Sequence, residues 1–492
     1  MNKVNNIHPF DTRTGSLRLS NPVVAGALLL VLSAVALLAA NSGMIVIAAC
    51  LALVIAGAYL YCLFTYPELG LYTAVALSFV LIGLGRYAKD LQVGLGLDGI
   101  LILTYLALFM KKFREGIDWT PAKKDVTLLA LIWFAYALFQ IVNPEAQSFA
   151  AWFSGRGVSF YMLMVVPLAL LFINTTRKLD LFMYAWGIFS ILATLKGIMQ
   201  LKIGLDGAEQ AWLDDGNFKT HVLFGKLRVF SFMSDAGQFG ANQAYSAVVA
   251  FIYAMAQTSW KKKLFFRTVA LLGFYGMIIS GTRGAMSVPM AAFMTFFILR
   301  KNVRVLSIGV TLLAMVFVFF KYTTIGQGNS QIRRMRTAFD PNDASLQVRL
   351  DNQKLLKRYM KSRPFGAGIG HGGVKAQRYL PNAYLSQIAT DSWYVLIWVE
   401  EGIIGLLLHL FILFYIVIKA SRMVMFHVKD PKLKLMISAL ISGMVGIMLA
   451  SYGNAILGTM PTGMLIYVSM AIMMNAKTLD ESISNNKENT VK

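Results

Sequence analysis

The stretch FFRTVALLGFYGMIISGTRGAMSVPMAAFMTFFILR, residues 265–300, decides the fold. Its only charges are Arg267 near the start, Arg283 in the middle and Arg300 at the end. Two apolar runs, 265–281 and 285–299, meet at the short turn Ser280-Gly281-Thr282-Arg283-Gly284. Runs approaching 20 apolar residues cross a hydrocarbon core as helices, because a helix satisfies its own backbone polar groups within the segment. The short alternating segments of a transmembrane barrel are absent. This hairpin therefore predicts an all-α polytopic membrane protein.

Working outward, the same pattern repeats along the chain. The 492 residues are 57% hydrophobic and only 14% charged, well under the roughly 25% of a soluble domain. Fourteen transmembrane helices are expected, near 22–41, 44–64, 68–85, 97–110, 126–142, 158–174, 179–200, 238–258, 265–281, 285–299, 304–320, 392–418, 433–452 and 456–475. Eleven of them fill residues 22–320 and three fill 392–475. Cys50 and Cys62 share one apolar run and read as small hydrophobes, not a disulfide or metal pair. The first run follows Lys3, Arg13 and Arg18 and leads straight into further spans, so it reads as a first transmembrane helix and not a cleaved signal.

Loop charges give the spans a direction. Lys111, Lys112, Arg114, Lys123 and Lys124 form one basic loop; Arg177 and Lys178 form the next. Lys261–Lys263 with Arg267, then Arg300, Lys301 and Arg304, then Lys419, Arg422, Lys429, Lys432 and Lys434 follow in phase. Basic loops stay cytoplasmic. The N-terminal segment 1–21 and the tail 476–492 are then both expected in the cytoplasm, the protein sitting in the inner membrane and the tail disordered by composition. The formal charge of +22 would suggest nucleic acid in a soluble chain; here much of it is anchoring, and no nucleic-acid partner is expected.

The same direction places 143–157, 201–237 and 321–391 on the periplasmic face. The last is a large loop with twelve Lys and Arg against four Asp. A long loop crosses regardless of charge, so its basicity invites an anionic ligand, although membrane lipid headgroups are also natural partners. Residues 345–363 carry Leu346, Leu350, Leu355, Leu356 and Tyr359 near helical spacing, an amphipathic helix suited to the interface.

Three arginines stand out. Arg283 occupies the glycine-flanked turn on the side where cations are not favoured, Arg228 opens a segment ending at Asp235, and Arg349 lies in the amphipathic helix. Arginine grips phosphate oxygens bidentately; singly, each also reads as a snorkelling interfacial residue. Phe365-Gly366-Ala367-Gly368-Ile369-Gly370-His371 is a close-approach loop, since a dinucleotide fold needs a soluble strand–turn–helix. Asp391 stands at the mouth of a span, with Glu400 and Glu401 deeper, where acids face a cavity or a partner helix. Asp206, Glu209, Asp214 and Asp215 match no calcium loop.

Together these elements resemble the O-antigen ligase and polymerase superfamily of membrane glycosyltransferases. The likeness spans roughly 225–420: Ser280–Gly284 resembles the S-G-[ST]-R-G turn, and Arg228 to Asp235 resembles its Arg-to-acid segment. Arg349 with Pro364-Phe-Gly-Ala-Gly368 looks like the loop motif. Asp391, Tyr394, Glu400, Gly402 and Gly405 keep the register of H-N-x-[YF]-L-x4-E-x-G-[IL]-[IL]-G. Asp391-Ser392 departs by replacing His-Asn.

The resemblance implies a glycan donor on undecaprenyl pyrophosphate, a glycan or lipid acceptor, and other polysaccharide-assembly proteins as partners. It implies catalysis by Asp391, Arg283 and Arg349, and substrate binding by Arg228, Asp235, Arg336, Tyr394 and Glu400. The arginines would stand in for a divalent metal, so a metal-independent enzyme with no cofactor is expected. Polymerisation of a surface polysaccharide is the first reading, because His-Asn is absent. A ligase acting on lipid A-core or another terminal acceptor is the alternative. A flippase or transporter is a third, although no internal repeat of the kind transporters show is evident.

Overall fold

The computed structural model describes residues 44–88, 93–223, 225–328, 330–337 and 344–491, and the protein is nearly all helical. The expected span 22–41 lies outside the described residues. Two compact units divide the chain, Met1–Pro67 and Glu68–Lys492. The first contributes helix α1 (Met44–Thr65).

The second unit contains α2 (Glu68–Leu84), α3 (Val93–Glu115), α4 (Asp125–Phe139), α5 (Phe149–Gly155), α6 (Gly157–Phe172) and α7 (Thr176–Lys202). Two short helices, α8 (Gly207–Trp212) and α9 (Phe218–His221), precede a two-stranded ribbon in which Val222 pairs with Leu227. Then come α10 (Ala236–Ala256), α11 (Trp260–Ile279), α12 (Ser287–Leu299) and α13 (Val303–Tyr322). The large basic loop carries α14 (Ser330–Arg336) and α15 (Ala344–Met360), and α16 (Trp393–Phe426), α17 (Pro431–Ala450), α18 (Thr462–Met474) and α19 (Ala476–Val491) complete the chain.

Each expected span from 44–64 onward falls on a helix. Seven helical segments among the described residues are both long and apolar enough to cross a membrane: Gly94–Phe113, Asp125–Val142, Phe149–Phe172, Thr176–Lys202, Val303–Tyr322, Trp393–Phe426 and Pro431–Ala450. Glu68–Leu84, Arg283–Leu299 and Thr462–Met474 are apolar but shorter. Helix starts follow local chemistry. Asp235 caps α10 by accepting from Gln238 N–H at 2.9 Å, and Asp430 with Pro431 at N1 opens α17, both standard helix-start devices.

α10, α17 and α18 form the centre. Every residue of α18 is buried, and α10 packs against α11, α12 and α17, with α17 also against α12. A largely apolar helix buried on all sides fits the middle of such a bundle. α13 lies at the opposite extreme, with 6% of its most apolar window buried, as expected of a surface facing lipid. The tail expected to be disordered continues instead as α19. Leu479 is buried, and the Asp480 carboxylate accepts from Lys429 and Asp430 N–H, both at 2.9 Å. Composition missed this because one apolar and one acidic side chain anchor an otherwise polar helix.

Candidate active site

α16 breaks at Gly402, whose φ of +74° and ψ of −174° belong to a region essentially reserved for glycine. The break frees the carbonyls of Val399 and Glu400, and the glycine loop satisfies them: Ala367 N–H donates to the first and Gly368 N–H to the second, each at 2.9 Å. Gly366, at φ +82°, meets the backbone of 400–402 so closely that any side chain would collide with it; one at Gly402 would overlap the Pro364 carbonyl. α4 backs the junction, with Tyr136 OH donating to Glu401 O at 2.7 Å and Trp133 Nε1 to Glu401 Oε2 at 3.2 Å.

His371 pins the other end of this loop. Its Nε2 accepts from the N–H of Gln147 at 2.9 Å and of Ser148 at 3.1 Å. Nδ1 must then carry the proton, and it lies 3.0 Å from Ile369 O. Burial pushes the imidazole pKa below its ordinary 6.5, so the ring is neutral and fully used as a brace.

The spliced loop walls a cavity of about 530 Å³. Asp235, Asp391, Glu400 and Glu401 reach its lining, together with Lys375 and Asn454. Gly372 N–H donates to Glu400 Oε1 at 3.3 Å. Asp391 has φ +45°, a left-handed conformation uncommon outside glycine and costly to hold. Its Oδ2 is 3.4 Å from Arg349 Nε. Asp235 remains charged although burial opposes it, because Gln238 N–H and Ser234 OH bond to it and Lys375 and His221 lie near; its pKa is held below the usual carboxylate value.

Beside the cavity, three arginines converge. Arg228 donates to Thr282 Oγ1 at 3.0 Å and to Thr220 O at 2.9 Å, and Thr282 donates in turn to Ala236 O at 2.7 Å. Its Nε is buried without a hydrogen-bond partner among the described residues. Arg283, starting a 3-10 turn before α12, donates to Thr337 Oγ1 at 3.0 Å. Arg334 completes the group: burial, then the charges of Arg228 and Arg283, lower its pKa to about 10. Burial and mutual repulsion make it costly to keep Arg228 and Arg334 charged, and the nearby Asp235 carboxylate offsets part of that cost for Arg228.

Residues 268–410 match the family model Wzy_C, described as O-Antigen ligase. This segment belongs to the O-antigen ligase and polymerase superfamily. The ligase–polymerase segment contains Arg283, Arg334, Arg349, Asp391 and Glu400, while Arg228, Asp235 and Asn454 come to it from outside. No curated protein was found to match the chain.

The fold thus brings Arg228 and Arg283 together in the cluster, and Asp235, Asp391 and Glu400 together on the cavity wall, with Arg349 facing Asp391. Two expected binding residues lie apart. Arg336 turns away, donating to Ile325 O at 2.6 Å and Thr323 Oγ1 at 3.2 Å. Tyr394 spends its hydroxyl on Met448 O at 2.7 Å, joining α16 to α17. Sequence reasoning passed over Arg334, Lys375 and Asn454 as site residues. Arg334 and Arg336 are two positions apart on one helix and so face nearly opposite ways; only the structure says which faces the cluster. Among the described residues, no group of three His, Cys, Asp or Glu side chains is placed to hold a metal.

Proposed function

We propose that this protein is a membrane glycosyltransferase that polymerises a surface polysaccharide at the outer face of the inner membrane. The donor is a glycan on undecaprenyl pyrophosphate and the acceptor is a second glycan chain. The observation that carries the reading is the convergence of Arg228, Arg283 and Arg334 beside a cavity whose wall holds Asp391.

In this reading an acceptor hydroxyl oxygen attacks the donor's anomeric carbon, and the bond from that carbon to the pyrophosphate oxygen breaks. The electron pair leaves on the pyrophosphate, where the arginines stabilise the growing charge, a contribution that often dominates catalysis. Asp391 takes the hydroxyl proton as general base, released from Arg349 as that arginine turns to the phosphates. One displacement inverts the anomeric configuration. Fourteen spans with both termini cytoplasmic, supported by the phase of the basic loops, would put cluster and cavity in the periplasm, where flipped lipid-linked glycans are presented.

Transfer of a finished glycan to a terminal lipid acceptor is the second reading, favoured by the family description itself. Gel profiles of surface glycans in a deletion strain separate the two. Single-repeat products indicate a polymerase, and accumulated lipid-linked long chains indicate a ligase. Translocation without new glycosidic bonds would overturn both.

A further inference from the structure

The turn 229–234 links Arg228 in the arginine cluster to Asp235 on the cavity wall. Its middle residue, Ser231, has φ +53°, left-handed for a non-glycine and therefore maintained only where its surroundings hold it. Two side chains from distant helices do so. Gln200 of α7 accepts from Phe230 N–H at 3.2 Å and Ser231 N–H at 2.8 Å. Arg86, just past the end of α2, donates to Ser231 O at 2.9 Å and also to Met233 O.

Arg86 is itself fixed on every side. It is 6% exposed, and its guanidinium carbon lies 4.5 Å from the ring centres of both Trp212 and Phe230, within cation–π range. Glu209 supports Gln200 by accepting from its amide at 2.9 Å, and Lys196 holds Glu209 at 3.0 Å. Arg86 and Gln200 both lie outside the ligase–polymerase segment.

We propose that Arg86 is a positioning residue for glycosyl transfer: by gripping the carbonyls of the turn 229–234 it sets the spacing between Arg228 and Asp235. The inference rests on reading the cluster and the cavity as the donor and acceptor sides of one site. A guanidinium suits the task because its rigid fork serves two carbonyls at once. Displacing one site residue by about 1 Å is enough to cost about 10²-fold in rate.

The test is lipid-linked oligosaccharide transfer in liposomes by wild type, Arg86→Ala and Arg86→Lys, with kcat expressed per folded molecule. The expected result is a loss of about 10²-fold for Arg86→Ala, with saturable partial recovery on adding methylguanidinium, which fits between Trp212 and Phe230 and donates to the same carbonyls. Arg86→Lys, serving one carbonyl at a time, falls between. If the alanine variant does not fold, the lysine variant decides alone: a clear loss in kcat supports the proposal and a wild-type kcat overturns it. Wild-type kcat in folded Arg86→Ala, or a loss that methylguanidinium leaves untouched, overturns it too. A wild-type protein that transfers no glycan overturns the functional reading instead, a result distinct from any of these.

Discussion

Asp391 and Arg349 face each other across 3.4 Å, carboxylate Oδ2 to guanidinium Nε, at the wall of the cavity. Their side chains are 42% and 33% exposed, so the pair adds little stability. The contact is in ion-pair range, yet Arg349 Nε makes no hydrogen bond among the described residues. A weak pair is easily exchanged, which suits a base that must be free when a pyrophosphate arrives.

If Asp391 is the base, Asp391→Asn should lower kcat by about 10²-fold or more while the protein still inserts and folds. Turnover of a defined lipid-linked donor measures this. An Asn variant with full activity would remove Asp391 from the chemistry, and a partly active Asp391→His would tie the position to the histidine of the family motif.

The arginine cluster makes a sharper demand on Arg334, which turns toward Arg228 and Arg283, than on Arg336, which is tied to Thr323 and Ile325. Arg334→Ala should cost about 10²- to 10³-fold in kcat, and Arg336→Ala much less. Equal losses in the two would contradict the geometry.

Gly366 and Gly402 should be irreplaceable for stability. Gly402→Ala places a side chain against the Pro364 carbonyl and Gly366→Ala places one against the backbone of Glu400. Each also forces a left-handed φ on alanine, worth about 1–3 kcal/mol before any clash. Thermal unfolding in detergent should show a marked drop for both. Gly99→Ala, where nothing lies within 4 Å, should stay near wild type.

Acid should loosen the same loop through His371. Its folded pKa lies below 6.5, so the unfolded chain binds the proton more readily. The stability it contributes is complete above about pH 6.5 and is lost as pH falls below that value toward the folded pKa. The unfolding midpoint should decline across this window, and His371→Gln, which keeps an acceptor but does not titrate, should flatten the decline. Identical slopes would show that His371 is not the sensor.

Much of this was legible in the residues. The apolar runs on either side of Arg283 and the close spacing of Gly366, Gly368 and Gly370 foretold a helical bundle with a close-approach loop, because both signals are local. The partnership of the two glycine sites was not legible, since it depends on a helix breaking at Gly402 to receive a loop 36 residues earlier. Arg86 and Gln200 gave no signal either. One unremarked arginine and one ordinary glutamine acquire meaning only when three elements pack around residue 231.

The most direct measurement is transfer in proteoliposomes containing a single defined undecaprenyl pyrophosphate-linked oligosaccharide, comparing wild type with Arg283→Ala. The account predicts nucleotide-independent formation of longer lipid-linked glycan by wild type and its loss, with insertion intact, in the variant. Full activity of Arg283→Ala would contradict the arginine cluster as the pyrophosphate site.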